Sequence, residues 1–233
     1  MNTTAELAGR EVRRVGLGTN RLKNTPENIE FLRAAVAAGL QHIDSAYLYT
    51  GGQCESAIGA AFGETKPDDV VIATKGGFGG AGQGRPEVLR AQIDESLRRL
   101  GFDVIDLYYL HRVDPETPLE ESLGTIKEAV DAGKIRAVGI SAVDVEQVER
   151  ARRVLPIAAV QNHYNPGARE HDPVVDHCER EGIVFVPYFP LRGGGSPHES
   201  LAWLLRRSPV ILPIPGTLSI EHLRENLAVP ESI

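Results

Sequence analysis

Short apolar, β-branched runs alternate with longer amphipathic stretches from one end of the chain to the other, and no other feature constrains the fold as tightly. The runs are Val15–Thr19, His42–Ala46, Val70–Lys75, Val104–His111, Ala137–Ser141, Ala158–Asn162, Val184–Phe189 and Val210–Pro215. The stretches of helical length are Pro26–Gly39, Gln53–Phe62, Pro86–Leu100, Pro118–Ala132, Asp144–Val154, Asp172–Glu181, Ser196–Arg207 and Ser219–Leu227. Pro26, Pro86, Pro118 and Pro173 stand at or near helix starts, and Gly39, Gly101 and Gly133 follow helix ends, where their backbones suit those positions. Val104–Leu110 and Val184–Phe189 are almost continuously apolar, as strands covered on both faces of a parallel sheet are. Eight units in 233 residues leave about 29 residues per unit, the length of a tight strand–helix repeat. An open doubly wound sheet usually stops at five or six strands, so the pattern predicts an α/β fold closed as a single (β/α)8 TIM barrel. No low-complexity stretch divides the chain, and residues 1–233 read as one domain.

Charge and cysteine usage narrow the function classes. The 25 basic and 32 acidic side chains give a net charge of −7, which argues against a nucleic-acid binder, since that needs a basic face. No apolar run approaches a membrane span, and Met1–Arg10 lacks the layout of a signal peptide. Cys54 and Cys178 make neither a disulfide framework nor a zinc cluster. The expectation is a cytoplasmic, monomeric enzyme with a small-molecule substrate and no metal, nucleic-acid or membrane partner.

Functional groups in such a barrel gather at the carboxyl ends of the strands. Three successive runs close on ionisable residues there: Asp44, Lys75 and His111, with Tyr49 five residues beyond Asp44. Singly, each has an ordinary structural use: an Asp caps a loop, a Lys snorkels to water, a His satisfies the core. Together they can deliver a proton. An ammonium beside a phenol favours the phenolate and is expected to draw the Tyr49 pKa down from about 10. Asp44 would hold Lys75 charged, and a neutral His111 would donate a hydrogen bond to a carbonyl oxygen. The set contains no hydride source, so reduction of a carbonyl requires a cofactor.

The blocks HIDSAYLYTGGQCESAIGAAF (His42–Phe62), ATKGG (Ala73–Gly77) and DLYYLHRVD (Asp106–Asp114) resemble the aldo-keto reductases. So, in the same order, do GKIRAVGIS (Gly133–Ser141), VQNHYN (Val160–Asn165), PYFPL (Pro187–Leu191) and IPGTLSIEHLRENL (Ile214–Leu227). The resemblance implies a (β/α)8 barrel that reduces aldehydes or ketones with NADP(H), less often NAD(H). By position it assigns Asp44, Tyr49, Lys75 and His111 to a catalytic tetrad with Tyr49 as the acid. It implies that Ser141 and Gln161 hold the nicotinamide carboxamide, and that Tyr188 stacks on the ring. Leu191 and Gly193 would wrap the pyrophosphate, and Thr217, Ser219, Glu225 and Asn226 would meet the adenosine and 2′-phosphate. Ordinary N-capping is the structural alternative for Thr217 and Ser219.

Some positions depart from the family pattern. Ala142 stands where an asparagine is usual, Asn20 where a tryptophan often lines the pocket, and Gly216 and His222 where a Lys and an Arg grip the 2′-phosphate. Arg192 interrupts a small-residue loop and is expected to offset part of that loss. The chain passes almost directly from Leu191 to Leu201 and reaches Ile233 soon after the eighth helix, which implies a shallow, open site with loose substrate selection. Gly77, Gly79 and Gly82 match G-x-G-x-x-G, but the helix starts near Pro86, so they read as a flexible substrate loop rather than a dinucleotide turn. The rivals are a nicotinamide-binding sensor without turnover and, for Lys75, a Schiff-base aldolase; an ion pair with Asp44 opposes the aldolase.

Overall fold

The computed structural model describes residues 2–233. An antiparallel hairpin of β1 (Thr4–Leu7) and β2 (Arg10–Arg13) comes first. Then follow β3 (Leu17–Gly18), α1 (Pro26–Ala37), β4 (His42–Asp44), α2 (Gln53–Phe62), β5 (Val71–Gly76), α3 (Pro86–Leu100), β6 (Ile105–Leu110) and α4 (Leu119–Asp131). The second half runs β7 (Ile135–Ser141), α5 (Val145–Arg152), β8 (Ala159–Gln161), α6 (Asp172–Glu181), β9 (Val184–Phe185), α7 (Pro197–Arg207) and α8 (Ile220–Ala228). Strands β3 to β9 form one parallel sheet in sequence order, the arrangement the alternation predicts.

Helix starts carry the expected chemistry. Asp144 and Ser196 make reciprocal capping boxes with Gln147 and Glu199, and Thr25 caps Asn28 ahead of Pro26. Each satisfies amide donors that the first helical turn leaves without partners. No helix among the described residues is long and apolar enough to cross a membrane.

Two apolar layers result from strand alternation. Ile72 and Tyr108 join the larger core between sheet and helices, while Val71, Ala73, Leu107, Tyr109, Ala159, Val184 and Val186 fill the inside of the curled sheet. Leu7, Ala8 and Val12 of the hairpin join that inner cluster and plug the amino end. Each hairpin strand is only four residues, TAEL and REVR, and half polar, so no apolar run marks it in the sequence.

The run 210–215 differs most from expectation. It forms no strand; isolated parallel bridges join Ile211 to Phe185 and Gly216 to Gly18. Its carbonyls serve both edges, Phe185 N–H donating to Val210, and Gly16 and Gly18 donating to Pro213 and Pro215. Pro213 and Pro215 have no N–H to return, so a continuous ladder cannot form. Pro187 has the same effect on Val184–Phe189, which shrinks to two ladder residues and one bridge, His163 to Tyr188. Val15–Thr19 is likewise only Leu17–Gly18. Outside, α8 packs on both α7 and α1.

Arg14 fastens the hairpin to this segment. Its guanidinium is buried, which lowers its pKa, and it donates to four carbonyls: Asn2 (3.0 Å), Leu205 (3.0 Å), Ser208 (2.6 Å) and Ile211 (3.2 Å). Two of these belong to the last turn and cap of α7, where the helix dipole favours a cation. Arg14→Met leaves those carbonyls without a donor, and we expect a loss of about 2–3 kcal/mol in chemical denaturation. An unchanged midpoint would show that the carbonyls find water instead.

Candidate active site

Strand parity puts the polar residues in one place. Positions 71 and 73 of β5 face inward, so Lys75 does too; Leu107 and Tyr109 carry His111 inward by the same count. Asp44 and Gln161 end β4 and β8, and Ser141 ends β7, all buried. Val184 and Val186 bring Tyr188 to the same mouth.

Lys75 is the centre of the floor. Its Nζ donates to Asp44 Oδ2 at 2.7 Å and to the Ser45 carbonyl at 2.6 Å. Gln161 Nε2 donates to Asp44 Oδ1 at 2.8 Å, so both carboxylate oxygens are engaged. Burial alone would lower the ammonium's pKa, but Asp44 and Tyr49 outweigh it and the pKa lies above the ordinary lysine value. A neutral amine, which Schiff-base chemistry needs, is therefore disfavoured.

The Tyr49 ring centre lies 5.0 Å from Lys75 Nζ and 5.9 Å, edge-on, from the His111 ring. Tyr49 opens a 3-10 turn, Tyr49–Gly52, whose Thr50 has φ +49°, a left-handed conformation costly for a β-branched residue. Thr50 Oγ1 donates to Leu22 O at 2.7 Å and fixes the turn. Beneath it, buried Glu55 accepts from Thr74 Oγ1 (2.6 Å) and Arg99 (3.2 Å), while Arg99 also donates to the Tyr47 carbonyl (2.8 Å). Burial raises the Tyr49 pKa, with Lys75 pulling against it. The expectation that Lys75 would bring the phenol below 10 is thus corrected: in this enclosed position the desolvation of a phenolate outweighs the ammonium's attraction.

His111 is driven down to about 2 by burial, Lys75 and Arg112, so its imidazole is neutral. Its Nδ1 is buried without a partner among the described residues. The Phe78 ring covers it, centres 4.9 Å apart.

These groups line a cavity of about 490 Å³, within the range that small molecules occupy. Asp44, Tyr49, His111, Ser141, Gln161, Tyr188 and Leu191 all reach it. Thr217 lines a small recess beside it with Gly216 and Asn20. Gly193, Ser219, Glu225 and Asn226 lie outside the cavity lining. Gly193 has φ +110° and a Cβ there would run into Gly167 N, so it holds the loop against a neighbouring turn. Ser219 accepts from His222 N at 3.3 Å as the cap of α8, and Thr217 accepts from Ser219 N at 3.0 Å, the structural alternative for both. Glu225 is exposed and Asn226 buried.

Ala142 has φ +56°, the region asparagine tolerates better than alanine, which accounts for the family's usual residue there. Arg112, Phe78, Phe189 and Arg21 also line the cavity and were not singled out from the sequence; only Arg112 had a cue, its place directly after His111.

The loop containing Gly79 and Gly82 is anchored at its base. Asp114, buried, accepts from Gly82 N (3.0 Å), Gly84 N (2.7 Å), Glu116 N (3.0 Å) and Thr117 Oγ1 (2.9 Å). Burial would raise its pKa, but these donors hold it at about 2. The base of the loop at Gly82 and Gly84 is therefore tied down, while residues 78–81 stay exposed. The anchor is complete above pH about 4 and is lost as pH falls toward 2, since the carboxylate form is the one favoured in the fold. Asp114→Ala should speed limited proteolysis between Gly79 and Arg85 at pH 7 by at least an order of magnitude, since even one hydrogen bond to a charge contributes about 1.5–3 kcal/mol. Unaltered cleavage would assign the loop's order to other contacts.

A model of the aldo/keto reductase family matches residues 14–199. An uncharacterized oxidoreductase of Schizosaccharomyces pombe is 33% identical across 96% of this chain and 83% of its own length. Pyridoxine 4-dehydrogenase of Escherichia coli is 34% identical across 97% and 92%. A solved thermostable aldo-keto reductase, bound to the inhibitor epalrestat, superimposes with a TM-score of 0.87 at 33% identity, covering 98% of this chain and 94% of that one. An aldo-keto reductase from Klebsiella pneumoniae in complex with NADPH gives 0.86 at 28% identity, covering 99% and 90%. The chain belongs to the aldo/keto reductase family, and with it to the oxidoreductases.

Proposed function

We propose that this protein reduces an aldehyde or ketone to an alcohol with NADPH as the hydride source. The observation that carries the reading is the buried Lys75–Asp44 pair beneath Tyr49, facing a neutral His111 across one cavity. We also read the sheet as a closed (β/α)8 barrel with 210–216 as its eighth stave, supported by bridges to both edges and by α8 meeting α1.

The cavity suits a nicotinamide. Tyr188 lines the cavity and stacks on His163, ring centres 5.6 Å apart, and Ser141 and Gln161 line the same cavity from strand ends. Toward Gly216 the cavity approaches the amino end of α8, and Arg21 lies in the recess there, suited to phosphates; Arg192 also lines the cavity. Leu191 and Gly193 belong to this pyrophosphate side, and Thr217, Ser219, Glu225 and Asn226 to the adenosine end. NADP(H) is the preference that the relatives support: an aldo-keto reductase of Schizosaccharomyces pombe carries NADP(+) in its name. The bound dinucleotide supplies a hydride to the carbonyl carbon. His111 and Tyr49 receive the carbonyl oxygen, and Tyr49 gives it the proton that completes the alcohol. Lys75, held by Asp44, stabilises the phenolate left behind until solvent returns the proton.

Consumption of NADPH and of NADH with a panel of aldehydes tests this. Faster loss of NADPH supports the reading, and cofactor affinity without turnover assigns the protein to the sensor class. The pH dependence is a further expectation. With His111 neutral down to about 2 and the Tyr49 phenol held protonated above its ordinary value, kcat/KM for a neutral aldehyde should be flat from about pH 6 to about pH 9. It should fall only where Tyr49 ionises. An inflection near 6.5 would mean that His111 titrates in the working range.

A further inference from the structure

A half-buried guanidinium stands beside the reacting position with its charge unmatched. Arg112 Nη1 donates to the His111 carbonyl (2.9 Å) and to Ser141 Oγ (3.2 Å); Nη2 makes one long contact, 3.5 Å, with the Tyr188 hydroxyl. All three acceptors are neutral. No carboxylate lies within 4.0 Å of it among the described residues, and Nε has no hydrogen-bond partner there. Two aromatic rings pack against the group, Phe78 at 5.3 Å and Tyr188 at 5.7 Å from the guanidinium carbon. Its position is thus fixed while the Nε–Nη2 edge keeps donors to spare, the edge that accepts a carboxylate in two parallel hydrogen bonds.

The location says what such a donor can meet. Phe78 touches His111 and Arg112 together, so the imidazole and the guanidinium are no farther apart than 4.9 Å and 5.3 Å end to end. On the reading given above, Ser141 and Tyr188 receive the nicotinamide end of the dinucleotide, which carries a neutral carboxamide. The phosphates on that reading go toward Gly216, where Arg21 and the approach to α8 lie. A cation at the nicotinamide end has no anion on the cofactor to pair with. The remaining molecule in the cavity is the substrate.

Resting on that reading, we propose that Arg112 is the substrate's anion anchor, and that the carbonyl compounds this protein prefers carry a carboxylate a few bonds from the carbonyl. The guanidinium grips the carboxylate while Tyr49 and His111 hold the carbonyl oxygen, which turns the substrate's length into its orientation. Arg112 is a specificity-determining residue and takes no part in moving the proton.

The test compares 4-carboxybenzaldehyde with benzaldehyde at saturating NADPH, in wild type, Arg112→Met and Arg112→Lys. Wild type should favour the carboxylate in kcat/KM by about tenfold or more, as one charge-assisted pair supplies. Arg112→Met should bring the ratio near one, and Arg112→Lys, a charge without the fork, should fall between. Calorimetric titration with benzoate gives a second readout: wild type loaded with NADP+ should bind it about tenfold more tightly than Arg112→Met. Equal use of both aldehydes by wild type overturns the proposal, as does a preference that survives in Arg112→Met. If neither aldehyde is reduced, the reductase reading fails, while Arg112-dependent benzoate binding would still support the anchor and its absence would remove it.

Discussion

Tyr49→Phe should lower turnover of NADPH with any aldehyde by about a thousandfold, within the range that a positioned general acid supplies together with the hydrogen bond it makes to the oxygen. The substitution removes one oxygen and leaves the ring, its edge contact with His111 and the Thr50 turn in place. NADPH binding should therefore change less than about twofold, measured by calorimetric titration. The combination matters: loss of both activity and binding would mean that the turn had moved, and retained turnover would mean that another group gives the proton.

Asp44→Ala is expected to have the largest effect on stability. Lys75 is fully buried, and removing its carboxylate leaves an ammonium with only the Ser45 carbonyl, while Gln161 Nε2 loses its acceptor. Breaking one partner of a buried pair costs about 3–5 kcal/mol. For a chain of this size that is a fall of roughly 6–20 °C in Tm. Asp44→Ala combined with Lys75→Met should be more stable than Asp44→Ala alone, because the stranded charge is gone. If the double substitution is the less stable, the two side chains contribute by packing and not by pairing.

Much of this was legible in the sequence because the same residues carry both periodicity and chemistry. Asp44, Lys75 and His111 end strands whose apolar alternation already states which face each side chain takes. Reading that parity alone would have added Ser141, Gln161 and Tyr188 to the interior without any resemblance. The hairpin at the amino end was hidden because Thr4–Leu7 and Arg10–Arg13 are short and half polar, and it matters as a plug only once the sheet curls. The apolar residues of 210–215 predict a strand, while Pro213 and Pro215 deny that run a ladder and leave it isolated bridges. Glu55 and Asp114 were silent for another reason: a buried carboxylate looks like a surface one until its donors, Arg99 and Thr74 or the amides of Gly82 and Gly84, come from elsewhere in the chain. The direction of the Tyr49 shift has the same origin, since burial is a property of the assembled cavity and not of neighbouring letters.

The central claim is hydride transfer to a carbonyl with Tyr49 closing the reaction. NADPH deuterated at both C4 positions, incubated with protein and benzaldehyde, tests it in the product. Wild type should yield benzyl alcohol with one deuterium on the former carbonyl carbon by mass spectrometry, and Tyr49→Phe should yield almost none. Unlabelled alcohol, or no alcohol from wild type while NADPH still binds, would contradict the account.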